Sequence, residues 1–203
     1  MRRKQKPPHR CFIKMVLLAS ESPRRFELFS RLGIPFEVKS EKVQELEHPE
    51  DGCSCSLLPQ LNARLKAAAV SRMYPDAVVI GADTAIVFED RLIGKPRDLE
   101  DARDTLRLLS GKKHEVITGI AVICKNSAFE RCWSEVSAVC FKNLSDEVIE
   151  KYLNLVNVLD KAGSYAIQEH GELIISEISG DMDNIIGLPL DKLRLTLTEF
   201  AVC

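Results

Sequence analysis

Apolar and polar residues follow two different periods along the chain, and the switches between them mark the elements. Residues 15–18 are a short apolar run of the kind a buried strand needs. Ser22 then stands at a helix N-cap, Pro23 fits the first helical position, and Phe26, Leu28, Phe29 and Leu32 recur on one face up to Gly33. Residues 36–38 predict another strand, and residues 57–74 a long helix with Leu58, Leu61, Leu65, Ala68 and Met73 on its inner side. The triplet 78–80 reads as a buried strand broken by Gly81. Residues 85–88 read as a second strand, turning at Glu89 and Asp90 into a returning arm at Leu92 and Ile93. Asp98 caps a helix to Leu109, which Ser110 and Gly111 stop. Residues 116–124 and 132–141 predict an antiparallel pair turned by Lys125 and Asn126, with Trp133 packed inside. Ser145 caps a helix to about Leu155, residues 160–168 form a polar loop, and 173–178 a strand. Residues 180–189 are a loop and 190–200 a last amphipathic helix. The fold class is mixed α/β, partly antiparallel rather than purely doubly wound.

Composition refines this picture in three ways. A chain of 203 residues buries one good core. The net charge of −2 argues against long-range attraction to nucleic acid, but it is uneven. Residues 1–14 hold six cations and no acid, leaving −8 on the rest. They read as a basic N-terminal extension, expected to be a solvated, disordered arm, with the globular domain over 15–203 and Met15 a candidate start. A basic start before an apolar stretch resembles a short signal peptide, but Lys14 interrupts the apolar part, so retention in the cytoplasm is the expectation. No apolar run approaches the roughly 18 residues of a membrane span. The seven irregularly spaced cysteines suit reduced thiols, and the lone C-x-C of Cys53 and Cys55 is a weak metal signal.

Candidate chemistry gathers at the ends of elements. Arg24 and Arg25 sit in a first helical turn, where the helix dipole disfavours cations. With the hydroxyls of Ser20 and Ser22 and the free backbone N–H groups they make half of an anion site. Asp83 and Thr84 follow a buried strand, Lys95 ends a hairpin, and Asp160, Lys161 and Gln168 lie in one loop. Cations beside a few acids fit phosphoanhydride chemistry, in which a carboxylate-held Mg²⁺ bridges phosphate oxygens and another carboxylate takes a proton from water. Lys66 reads locally as a solvated lysine, Glu45 stands out in no way, and His114 and His170 read as packed or surface residues. Neither the Walker nor the G-x-G-x-x-G pattern occurs, and no Ser–His–Asp set can be defended from spacing. The residues alone indicate an anion-binding α/β enzyme of phosphate chemistry.

Six stretches in one order carry a resemblance: LASESPRR (18–25), VIGADT (79–84), GKPRD (94–98), LSGKKHEVITG (109–119), DKAGSYAIQ (160–168) and NIIGLPL (184–190). Together they resemble the Maf family of nucleoside triphosphate pyrophosphatases, from about Met15 to the C-terminus. The resemblance implies a fold like the inosine triphosphate pyrophosphatases, an elongated mixed sheet with helices and two lobes around a nucleotide cleft. It implies attack by water between the α- and β-phosphates with Mg²⁺ or Mn²⁺. Asp83 matches the proton acceptor. Ser22, Arg24, Arg25, Lys66 and Lys95 match phosphate-site positions, which Ser20 joins from the anion reading. Glu45 falls at a metal-site acid, with Asp83 as its companion. Arg24, Thr84 and Gln168 match positions linked to base choice. SPRR, GADT and YAIQ look like the subgroup acting on dTTP and UTP, with modified pyrimidine nucleotides as further candidates. The 7-methyl-GTP subgroup would look like SPWR and SDQ, although Gly94 is shared with it. Gln44 replaces one acid of a common acidic pair, and His170, Gly171 and Glu172 replace a glycine-rich stretch. The alternatives are 7-methyl-GTP hydrolysis and a nucleotide-binding regulator of cell division and septum formation. A homodimer is expected by similarity alone, and neither nucleic-acid nor membrane partners are expected.

Overall fold

The computed structural model describes residues 15–48 and 54–199. The extension 1–14 and Cys11, Cys53 and Cys203 lie outside the described residues. Strand β1 (Val16–Ala19) leads into helix α1 (Pro23–Ser30), and β2 (Glu37–Val38) follows. A short 3-10 turn, Cys55–Leu57, runs into α2 (Leu58–Met73). Then come β3 (Val78–Phe88), β4 (Arg91–Ile93), α3 (Leu99–Leu109), β5 (Lys113–Cys124) and β6 (Phe129–Phe141). The chain closes with α4 (Asp146–Leu155), α5 (Gly171–Ile174), β7 (Ile175–Ser179), α6 (Met182–Ile186) and α7 (Leu190–Thr198). All strands join one sheet in the order β2-β1-β3-β5-β6-β7, with β4 on the flank of β3. β2, β1 and β3 run parallel, and the other pairings are antiparallel. The sheet is mixed and flanked by helices, as the sequence pattern requires.

Several local expectations are corrected. Gly81 does not break a strand, because β3 runs unbroken for 11 residues. The glycine serves packing instead: a Cβ there would lie 2.2 Å from the Ala63 carbonyl oxygen and 2.9 Å from Ala67 Cβ. Gly119 on β5 does the same further along, where a Cβ would meet Gln60 N at 2.2 Å. Helix α2 therefore lies directly on two strand backbones, and only small side chains fit between. Ala63, Ala67 and Val70 are fully buried, whereas Leu61 and Met73, expected inside, are 37% and 66% exposed. Ser22 occupies the N-cap of α1 without a side-chain capping bond. The strand expected from Leu173 starts at Ile175, and the loop 180–189 contains α6.

The register of β3 positions the site. β1 accompanies it only as far as the Ala19–Gly81 pair, and β4 takes over only at Ile86. Among the described residues, positions 82–85 therefore have β5 on one side and no strand on the other. The cores divide at the same level. Val16, Leu18, Phe29, Ile80, Val122 and Leu193 pack on one face of the sheet near β1, and Leu17, Ala63, Val79 and Ala121 on the opposite face. Beyond the opening, Ile86, Leu106, Val139, Tyr152 and Tyr165 form a separate core. The stretch 82–85 thus joins two packed halves, and both faces of the sheet meet at its free edge.

The far core contains a titratable group. His114 is 2% exposed and packs edge-on against Phe141 and Tyr165, with Nε2 2.8 Å from the Tyr165 hydroxyl. Burial lowers its pKa from 6.5 to about 4. Unfolded chains therefore bind a proton between those values that the native state refuses, so stability is complete above pH 6.5 and falls as pH drops toward 4. The loss amounts to about 3 kcal/mol. Urea melts at pH 7 and pH 4.5 check this: the native chain should lose most of this increment relative to His114→Gln, which has no proton to gain. Equal pH dependence in both proteins would assign the acid loss to carboxylates instead.

Candidate active site

Helix α2 supplies one wall. Pressed onto Gly81 and Gly119, it places Lys66 with Nζ 2.7 Å from Asp83 Oδ1 and 2.9 Å from Glu45 Oε2. One turn earlier, Asn62 is 4% exposed and clamps the backbone of Leu46. Its Oδ1 accepts from the Leu46 N–H at 2.8 Å, and its Nδ2 donates to the Leu46 carbonyl at 3.1 Å. The same Nδ2 lies 3.5 Å from Asp83 Oδ2. An obligate donor and an obligate acceptor fix the amide orientation, so the second Nδ2 hydrogen is left for the carboxylate. Asn62 and Lys66 together hold the irregular segment carrying Glu45 against the helix, and this explains how Glu45 joins the site without any local signal.

The turn from β1 into α1 supplies the other wall. Arg25 donates through Nε to the Gly187 carbonyl at 2.9 Å, through one terminal nitrogen to Ser20 Oγ at 3.3 Å, and through the other to Thr84 Oγ1 at 3.0 Å. Burial lowers the Arg25 pKa, and the negative charge of Asp83 opposes that effect, with a smaller contribution of the same sign from Glu45. The arginine and the carboxylates therefore act on one another within a single neighbourhood. Asp83 and Thr84 point to opposite faces of β3, as consecutive strand residues must. Both lie in the stretch 82–85, where, among the described residues, no strand pairs with the side of β3 away from β5.

The remaining predicted residues make contacts of their own. The Ser22 backbone N–H donates to Ser20 Oγ at 3.3 Å. Arg24 is half-exposed, 3.9 Å from Asp160, whose carboxyl is held below the usual range chiefly by a hydrogen bond from Lys161. A hydrogen bond of 3.0 Å from Gly163 N to the Gly94 carbonyl ties the hairpin exit before Lys95 to the 160–168 loop. Lys95 and Gln168 are exposed there, and among the described residues neither hydrogen-bonds to the Asp83 cluster. A hollow of about 450 Å³ lined by Phe88, Glu89, Lys113 and His114 lies at the far end of β3. It shares no lining residue with the Asp83 cluster.

Sequence reasoning missed Asn62, Thr118, Asn184 and Gly187. Thr118 is fully buried, 2.9 Å from Thr84 Oγ1, and donates to the Asn184 carbonyl at 2.8 Å. Asn184, also fully buried, donates to Val116 O and Ser137 Oγ, which seats α6 on the sheet and aims Gly187 at Arg25. Gly187 has φ +124°, a conformation that admits little but glycine. A polar residue in an otherwise apolar strand or alanine-rich helix was the available signal for Thr118 and Asn62.

The chain resembles known proteins over most of its length. The profile of a family described as Maf-like protein matches residues 15–200. A dTTP/UTP pyrophosphatase of Akkermansia muciniphila is 46% identical over 182 residues, covering 88% of this chain and 92% of the relative. A dTTP/UTP pyrophosphatase of Alkaliphilus oremlandii is 44% identical over 186 residues, covering 91% and 95%. One from Bacillus cereus is 39% identical over 190 residues, covering 94% and 92%. A solved structure of a Vibrio cholerae protein aligns with a TM-score of 0.32 at 11% identity over 71% of this chain and 68% of its own, too weak a likeness to bear on the fold. With the profile and these relatives spanning nearly all of the described residues, the chain belongs to the Maf family.

Proposed function

We propose that this chain hydrolyses dTTP and UTP to the nucleoside monophosphate and diphosphate. The observation that carries the proposal is the carboxylate of Asp83, held at 2.7 Å by Lys66, next along β3 to Thr84, which accepts a hydrogen bond from Arg25 at 3.0 Å. Asp83 orients a water and accepts its proton as the water attacks the α-phosphorus. Lys66, Lys95, Arg24 and the charge of Arg25 balance the triphosphate, and the hydroxyls of Ser20 and Ser22 donate to its oxygens. Thr84, Arg24 and Gln168 face the base, and the Gln168 amide offers both a donor and an acceptor to its edge.

The donors present fit a divalent cation. Asp83 and Glu45 offer hard carboxylate oxygens on the same lysine ammonium, suited to Mg²⁺ or Mn²⁺. Among the described residues there is no group of three or more His, Cys, Asp or Glu able to form a closed cage. That suits a metal completed by phosphate oxygens and water. When bound, it would neutralise charge on the phosphates and polarise the anhydride. No described helix is long and apolar enough to cross a membrane. A cytoplasmic setting agrees with the thiols of Cys55, Cys132 and Cys140.

A panel of nucleoside triphosphates with Mg²⁺ or Mn²⁺, scored for diphosphate, tests the reading. Release is expected from dTTP and UTP. Preference for 7-methyl-GTP would move the chain to the other subgroup, and tight binding without release would make it a nucleotide sensor.

A further inference from the structure

The hydrogen bonds around Thr84 have a direction that their chemistry fixes. Arg25 can only donate, and it donates to Thr84 Oγ1 at 3.0 Å. The Asn184 carbonyl can only accept, and it lies 2.8 Å from Thr118 Oγ1, within a fully buried pair. The single Thr118 proton is therefore spent on Asn184. The contact of 2.9 Å between the two threonine hydroxyls then has one possible sense, from Thr84 to Thr118. Thr84 has given its only proton inward and holds the guanidinium on one lone pair. Partly exposed at the open edge of β3, it has only a lone pair left for a group that approaches that edge.

An acceptor at that place sorts ligands by chemistry. A phosphate oxygen, a carbonyl or, for a base presented at its 3-position, the bare N3 of cytosine would meet it lone pair to lone pair, since the donor of cytosine is its exocyclic amine instead. The N3–H of uracil or thymine would donate to it. We propose that Thr118 is a positioning residue that sets base selectivity: by taking the Thr84 proton it makes Thr84 an acceptor only, so that the site selects pyrimidines carrying an N3–H over cytosine. This rests on the reading of Thr84 as a base-side residue of a pyrimidine nucleotide pyrophosphatase. It adds a residue that never touches the substrate, and it gives the reason for the direction of choice.

The test is the ratio of kcat/KM for UTP to that for CTP, measured by diphosphate release at saturating Mg²⁺. Thr118→Val keeps the shape and the β-branched fit to the strand but removes the acceptor, which frees the Thr84 proton to turn into the cleft. The ratio should fall at least ~10-fold, mostly through improved CTP turnover, while Thr118→Ser should keep the native ratio. A folded Thr118→Val protein with an unchanged ratio overturns the proposal. A second measurement needs no variant: N3-methyl-UTP, which lacks the donor, should lose at least ~10-fold in kcat/KM on the native enzyme, and equal turnover of UTP and N3-methyl-UTP overturns it too. If the native protein releases diphosphate from neither UTP nor dTTP, the activity reading itself fails. If it releases diphosphate from UTP and CTP equally, the activity stands and the selectivity proposal falls.

Discussion

Asp83→Ala should abolish diphosphate release from dTTP and UTP, with kcat reduced at least ~10³-fold, while nucleotide binding survives. General-base catalysis contributes about 10²–10⁴-fold, and if Asp83 also holds the proposed divalent cation its loss adds to that. The protein should remain folded, because Lys66 keeps its 2.9 Å partner Glu45 when Asp83 is gone. It also removes one negative charge from beneath a polyanion, so affinity should be retained or improved. Initial rates of diphosphate formation, paired with calorimetric binding of an α,β-methylene analogue of UTP, separate the outcomes. Near-normal turnover would remove Asp83 as proton acceptor. Joint loss of binding and turnover would make its pairing with Lys66 a purely structural contact.

The same cluster shows what a single sequence can reveal about such a site. Asp83, Thr84 and Lys95 were legible because each is a polar residue at a place where an apolar run or hairpin arm ends. Arg24 and Arg25 were legible because helix starts disfavour cations. The structure gives the two arginines different duties, however. Arg25 spends hydrogen bonds on Ser20, Thr84 and Gly187, while Arg24 stands half-exposed beside Asp160. Glu45 was legible only by family resemblance, since it lies outside regular secondary structure and is placed by side chains of α2. Periodicity correctly located α2 and its buried Leu58 but turned Leu61 and Met73 inward, where the structure has Ala63, Ala67 and Val70. An alanine-rich helix has a weak apolar stripe, and the surface it must fit is set by glycines on two distant strands. The opening at 82–85 depends on where neighbouring strands stop pairing, and no local pattern encodes that.

Those strand glycines lead to the other large expected effect. Gly81→Ala adds one methyl group, ordinarily a mild change in a strand. Here its carbon would be built 2.2 Å from the Ala63 carbonyl oxygen and 2.9 Å from the Ala67 backbone nitrogen and Cβ. The groups in the way are mostly helix backbone, so no side-chain rotation relieves the contact, and α2 must lift as a unit. Overpacking typically costs about 1–3 kcal/mol, and with backbone as the obstacle the variant should lose about 3 kcal/mol or more. The lifted helix carries Asn62 and Lys66, so the carboxylate pair loses its ammonium and the Glu45 segment its clamp. Activity per folded molecule should therefore fall as well, which a stability loss elsewhere would not cause. Gly94→Ala is the matched control, because a Cβ there meets nothing within 4 Å. Urea midpoints for the two variants, with kcat measured well below the unfolding transition, check both halves. A Gly81→Ala protein with native stability and turnover would show that α2 does not rest on β3 as described, and the placement of Lys66 against Asp83 would fall with it.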